Sequence, residues 1–239
     1  MPLPKIATPT YELELPSTGK SIKYRPFLVK EEKVLVIALE SEDTKQITNA
    51  IKAVLKNCVL TKGIKVETLP TFDIEFLFLN IRGKSVGEEL EVNVICPDDG
   101  ETSVPVMIAL EDIQVEKMDD HSPQIKLDSK LMMEMKYPSL DEFIKNNFDF
   151  NEENQMDQSF QLIASCIDKI YSDEEVWATA DCTKKEVNEF LESMNSSQFK
   201  LIEKFFETMP KLQHTIEVTN PKTKVKSEVV LEGLASFFG

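Results

Sequence analysis

Glycine is scarce in this sequence, with seven in 239 residues. No G-x-G-x-x-G and no G-x-x-x-x-G-K-[ST] occurs, so the loops whose backbone amides cradle nucleotide phosphates are missing. Histidine is scarcer. His121 and His214 are the only two, and a Ser-His-Asp or Cys-His site would need one of them. Positive charge is in deficit: 27 Lys and Arg against 42 Asp and Glu leave a net charge of −15. Nucleic acid and anionic membrane surfaces are therefore excluded as expected partners, since phosphate binding needs clustered cations. The longest apolar run, Val34–Leu39, falls far short of the ~20 residues that span a bilayer. The opening MPLPKIATPTY has no apolar stretch of signal length, so a cytoplasmic site of synthesis is expected. Cys58, Cys96, Cys166 and Cys182 are scattered and expected as reduced thiols.

What is present is an ordinary globular composition, 41% hydrophobic and 29% charged with 14 Phe. Val92–Leu110 reads as a hairpin: Val92 and Val94 alternate with Asn93, Asp99-Gly100 turns the chain, and Val104, Val106 and Ile108 alternate again. The pattern returns near the end as IEVTNPKTKVKSEVVLEGL. At an offset of 124, Val92 meets Ile216, Val94 meets Val218, Pro97 meets Pro221, Ser103 meets Ser227, Val106 meets Val230 and Leu110 meets Leu234.

Between these lie helical periodicities. Tyr11–Lys23 reads as a first hairpin, and Val29–Leu39 as a helix with Val34, Leu35, Ala38 and Leu39 inward. Ile47, Ile51, Val54, Leu55 and Cys58 define a second helix, and Phe72–Ile81 a buried one. Leu127–Tyr137 alternates as strands. Ser139-x-x-Glu142 and Thr183-x-x-Glu186 have the form of capping boxes. Asp157–Tyr171 reads as a single helix with Phe160, Ile163, Ala164, Ile167, Ile170 and Tyr171 on one stripe, and Ser196-Ser197 starts another with Phe199, Ile202, Phe205, Phe206 and Met209 buried. The Cys58 and Cys166 helices align at an offset of 108, and Tyr24 and Tyr137 both stand just before a proline. The expected fold is α+β, a tandem duplication. Residues 1–118 form one half, closed by a hairpin at 92–110, and 119–239 the other, closed at 214–231. Each half is a small helical cluster ended by a zinc-ribbon-like hairpin without metal.

Catalytic chemistry finds little purchase. Cys96-Pro97-Asp98-Asp99 resembles one zinc-ribbon knuckle, but Asp99 stands where the second cysteine belongs, and the repeat has Asn220 and Thr223. Asp98–Glu101 lacks the ligand pattern of a calcium loop. No metal, cofactor or catalytic residue is expected; the rival reading is an enzyme using the Asp98–Glu101 turn with His121 and a metal. The large side chains least explained by periodicity are Trp177, the only tryptophan, and Leu234, Phe237 and Phe238 of the apolar tail. Core packing is the bland reading for all four, and partner binding the sharper one.

The opening MPLPKIATPTYELELPSTGKSIKYRPFLVKEEKVLVIALES, the hairpin VNVICPDDGETSVPV and the ending VVLEGLASFF together resemble the baseplate hub subunit and hub assembly proteins of T-even-type contractile-tailed bacteriophages. The resemblance covers essentially the whole chain and is most specific in the first forty residues. It implies a non-enzymatic protein needed to build the hub of the tail baseplate. Such a protein would be made in the host cytoplasm and would bind other hub proteins, either as an assembly factor or as a permanent component of the virion.

Overall fold

The computed structural model describes residues 6–41, 43–139, 155–233 and 236. In chain order the elements begin with β1 (Tyr11–Glu14), β2 (Ser21–Tyr24), α1 (Val29–Glu40), α2 (Thr44–Cys58) and α3 (Thr71–Val86). Next come β3 (Glu89–Ile95), β4 (Ser103–Ala109), β5 (Gln114–Glu116), β6 (Gln124–Lys126) and β7 (Met132–Met135). The chain continues with α4 (Gln155–Cys166), β8 (Ile167–Tyr171), β9 (Val176–Ala178), α5 (Lys184–Glu192), α6 (Ser196–Thr208), β10 (Lys211–Thr219) and β11 (Lys226–Glu232). Among the described residues four antiparallel sheets result, in strand orders β1-β2, β3-β4, β11-β10-β5 and β6-β7-β8-β9. The mixed helix and small-sheet content agrees with the α+β expectation.

Two compact units emerge. One comprises Met1–Val66, Phe72–Glu116 and Lys211–Gly239; the other comprises Glu67–Thr71 and Lys117–Pro210. This division differs from the expected one at 118/119. The terminal hairpin belongs with the first unit, because β10 pairs with β5 in the register Leu212↔Val115. The apolar face of β10–β11 also covers that of β3–β4: Leu90, Val92, Val94, Cys96 and Ile108 join Ile113, Leu212, Ile216, Val218 and Leu231 in one cluster. A lone two-stranded ribbon is marginal in water, and facing ribbons hide each other's apolar sides. Each large aliphatic so buried contributes about 1.5–3 kcal/mol.

The two ribbons match closely, but not at one offset. Val92↔Val106 pairs across the first, and Ile216↔Val229 across the second. The offset of 124 therefore holds for the outgoing strand and becomes 123 for the return. Val229 packs on the cluster, whereas Val230, the expected equivalent of Val106, is 55% exposed. A one-residue slip inverts the faces of a strand, and the slip comes from a turn shorter by one residue in the second ribbon. Up to that point the turns agree. Gly100 N–H bonds to the Cys96 carbonyl (3.0 Å) and Lys224 N–H to the Asn220 carbonyl (2.9 Å), with φ of 67° at both Gly100 and Lys224.

Elsewhere in the first unit, Asp43 caps α2 by accepting from the Lys45 and Gln46 amides (2.9 and 3.2 Å). Buried Asp73 in the first turn of α3 accepts from the Ser17 amide (2.9 Å) and hydroxyl, tying the β1–β2 turn to that helix. Phe72, Ile74, Leu77, Phe78, Leu79 and Ile81 of α3 are all buried, as its sequence predicts.

In the second unit the helix expected over 157–171 ends at Cys166. Ile167–Tyr171 instead forms β8, flanked by β7 and β9. The segment Ile-Asp-Lys-Ile-Tyr carries a β-branched and aromatic bias, and strand partners on both sides override the helical stripe. α5 and α6 start where expected. Thr183 and Glu186 form a reciprocal capping box, and Asn195 with Gln198 forms a second. Their apolar faces close over the sheet in a cluster of Ile125, Met133, Met135, Cys166, Ile167, Ile170, Val187, Leu191, Ile202 and Phe205. The capping box at Ser139–Glu142 and its helix fall largely outside the described residues.

Candidate functional site

Trp177 sits on β9, directly across from Ile170 of β8. Ile170 is buried on the core side of the sheet, while Trp177 is 42% exposed and Val176 beside it 66% exposed. Directly paired residues share a face of the sheet, so Trp177 stands beside Ile170 at the β9 edge with part of its surface in water, where a large amphipathic ring is suited to meeting a partner. Leu234, Phe237 and Phe238 lie outside the described residues.

Of the residues named in the rival catalytic reading, Asp98 and Asp99 lie in the first unit and His121 in the second. Asp98 is consumed by the neighbouring ribbon: Asn220 Nδ2 donates to both of its oxygens (3.0 and 3.1 Å), and the Thr223 hydroxyl donates as well. The Thr223 and Asn220 contacts hold Asp98 below the usual carboxylate range. Asp99 turns back on its own loop, accepting from the Thr102 amide (2.9 Å), the Thr102 hydroxyl (2.5 Å) and the Glu101 amide (3.1 Å). Those bonds, led by the Thr102 hydroxyl, lower its pKa strongly. Cys96 points into the apolar cluster. Among the described residues, no group of three His, Cys, Asp or Glu is placed to hold a metal ion.

His121 is a structural histidine. Thr208 Oγ1 donates to the Lys204 carbonyl (2.8 Å), so toward His121 Nδ1 at 3.0 Å it can only accept. Nδ1 carries the proton, and Nε2 accepts from the Tyr137 hydroxyl at 2.9 Å. The imidazole stacks with Tyr137 and lies against Phe205, with centroids 5.6 and 5.2 Å apart. Burial, helped by Lys117 and opposed by Asp120, pushes its pKa below the ordinary histidine value.

One surface went unrecognised in the sequence. The inward set expected for α1 was Val34, Leu35, Ala38 and Leu39, but only Leu35, Ala38 and Glu31 are buried. Val29, Val34, Val36, Ile37 and Leu39 are exposed, Val29 at 80%. The readable signal was apolar residues on every side of a helix whose one covered stripe holds a glutamate. Glu31 is held there by Arg25 (3.1 Å), Lys30 (3.3 Å) and the Leu28 amide (2.7 Å). Burial raises its pKa, but these contacts together outweigh burial and leave it lowered. Beside it, burial pushes the Cys58 thiol up to about 11, which keeps it protonated and unreactive.

Among the described residues no helix is long and apolar enough to cross a membrane. No curated protein and no solved structure matches the chain. The family model described as T4 bacteriophage base plate protein matches residues 8–239. With that match running over nearly the whole length, the chain belongs to the T4 bacteriophage base plate protein family.

Proposed function

We propose that this protein serves the assembly of the baseplate hub by binding other hub proteins, without catalysing a reaction. The observation that carries the reading is the family match across residues 8–239, on a chain whose α1 keeps five large aliphatics in water. Apolar surface of that kind marks a protein-interaction site. The work is done in the host cytoplasm, and the finished tail baseplate is where its products reside. Trp177 and the tail residues Leu234, Phe237 and Phe238 are further partner-binding residues in this reading. The two halves descend from one duplicated unit. Matched hydrogen bonds support that descent: Arg25 N–H to the Cys58 carbonyl (3.0 Å) and Lys136 N–H to the Cys166 carbonyl (2.7 Å), each tying a strand end to the last residue of a helix.

The test is genetic and compositional. A phage lacking the chain should make tails without hub-centred baseplates. Mass spectrometry of purified wild-type particles should not find the protein if it is an assembly factor; stoichiometric presence would make it a permanent hub component. Normal baseplates in its absence would overturn the reading.

A further inference from the structure

β9 is an open edge. Among the described residues it pairs with β8 on one side and with no strand on the other, since the sheet runs β6-β7-β8-β9. Such an edge offers backbone N–H and C=O groups to any passing strand, here with the Ala178 carbonyl already accepting from the Cys182 thiol (3.4 Å), and protein edges are usually blunted by charge, proline or a bulge. The three residues of β9, Val176, Trp177 and Ala178, hold none of these. The charge lies around them instead. Asp173, Glu174 and Glu175 fill the β8–β9 turn, and Asp181 follows the strand; all four are exposed. Among the described residues none of the four is in an ion pair, and residues 172–183 contain no Lys or Arg. Nearby cations are engaged or lie past the rim: Lys169 holds Glu134 at 3.0 Å, Lys185 holds Glu189 at 3.5 Å, and Lys184 opens α5.

The charge pattern decides the occupant. A second copy adding antiparallel to this edge would set the acidic turn of one chain against Asp181 of the other, and like charges across strands are destabilising. An extended segment carrying lysine or arginine between apolar residues meets the opposite situation. Its cations face the four carboxylates, its backbone completes the edge, and its apolar side chains lie on the face of the sheet that carries the indole of Trp177. We propose that β9 is the docking edge for a basic, extended segment of another baseplate protein, which joins the sheet as a fifth strand. The proposal rests on the protein-binding role argued above and names the partner's chemistry.

Trp177 is the only tryptophan, so its emission reports this edge directly in the full-length protein. Titration with a capped octapeptide of alternating lysine and valine should give a saturable blue shift that weakens with added salt. The alternating glutamate and valine peptide should give none. Neutralising the turn with Asp173→Asn, Glu174→Gln and Glu175→Gln should weaken the lysine peptide about tenfold. Replacing the same three residues by lysine should transfer the response to the glutamate peptide. No shift, equal shifts with both peptides, or an unchanged preference in the lysine variant would overturn the proposal. So would a blue shift that grows with protein concentration alone, which would mean a second copy on the edge. Returned to the phage, the lysine variant should fail to support baseplate assembly. If it supports assembly while a deletion does not, the edge is wrong and the assembly role stands; if the deletion itself is harmless, the assembly role falls by that result alone.

Discussion

Glu31 shows how one side chain can hold a turn together. It is nearly buried, yet three donors converge on it, and a charged hydrogen-bonded group of this kind stabilises by about 1.5–3 kcal/mol. Glu31→Ala should cost about 2 kcal/mol in chemical denaturation at neutral pH. Because its folded pKa is depressed, that contribution is full above the ordinary Glu value of about 4.3 and is lost as pH falls through the folded value. The gap between wild type and variant should therefore close in acid, and a gap independent of pH would contradict the ion-pair account. His121 acts at a different pH. Its folded pKa is also lowered, but for a base this means that the unfolded chain takes up the proton first. Stability is full above about 6.5 and falls as the pH drops below it, so His121→Gln should flatten the stability profile in that window. Nitrogen NMR of the wild-type imidazole should find the proton on Nδ1; a proton on Nε2 would break the Thr208–His121–Tyr137 chain derived from the distances.

At the level of elements, the matched ribbons make a paired test. Gly100 and Lys224 share a left-handed backbone, which costs a residue with a Cβ roughly 1–2 kcal/mol. Gly100→Ala should destabilise by about 1 kcal/mol, while Lys224→Gly should be neutral or stabilising, the gain limited by the added freedom of glycine in the unfolded chain. Asn220 is buried and uses both ends of its amide, donating to Asp98 and accepting from the Lys222 amide at 2.8 Å. Asn220→Ala should cost about 1–3 kcal/mol. Additivity of Asn220→Ala with Asp98→Ala in a double-mutant cycle would show that the two ribbons are not coupled through this contact.

On the scale of the molecule, the first unit is assembled from both ends of the chain. A fragment of residues 1–118 lacks β10 and β11 and would leave Leu90, Val92, Val94 and Ile108 facing water. It should fail to fold, giving little ordered signal by circular dichroism and aggregation on size exclusion. A cooperatively folded, monomeric fragment would instead favour two self-contained halves. The net charge of −15 works against self-association of the exposed aliphatics of α1, and it favours partners of opposite sign.

Local patterning made most elements legible in the residues themselves. The cap of α5, the start of α6, the wholly apolar α3, the inward alternation of β3 and β10 and the acidic surface all follow from neighbours within a few positions. Where the reading stopped, the controlling partner lay far along the chain. Ile167–Tyr171 carries a helical stripe as well as a strand bias, and pairing with β7 and β9 chooses the strand. The aliphatics of α1 look like core until its covered stripe is seen to hold Leu35, Ala38 and Glu31 instead. The terminal ribbon has a pattern similar to that of β3–β4, but nothing in its own residues says that it packs against that ribbon rather than against the elements just before it. Periodicity records which side of an element is apolar; which surface comes to cover that side depends on contacts between distant segments, and these exist only once the chain has folded.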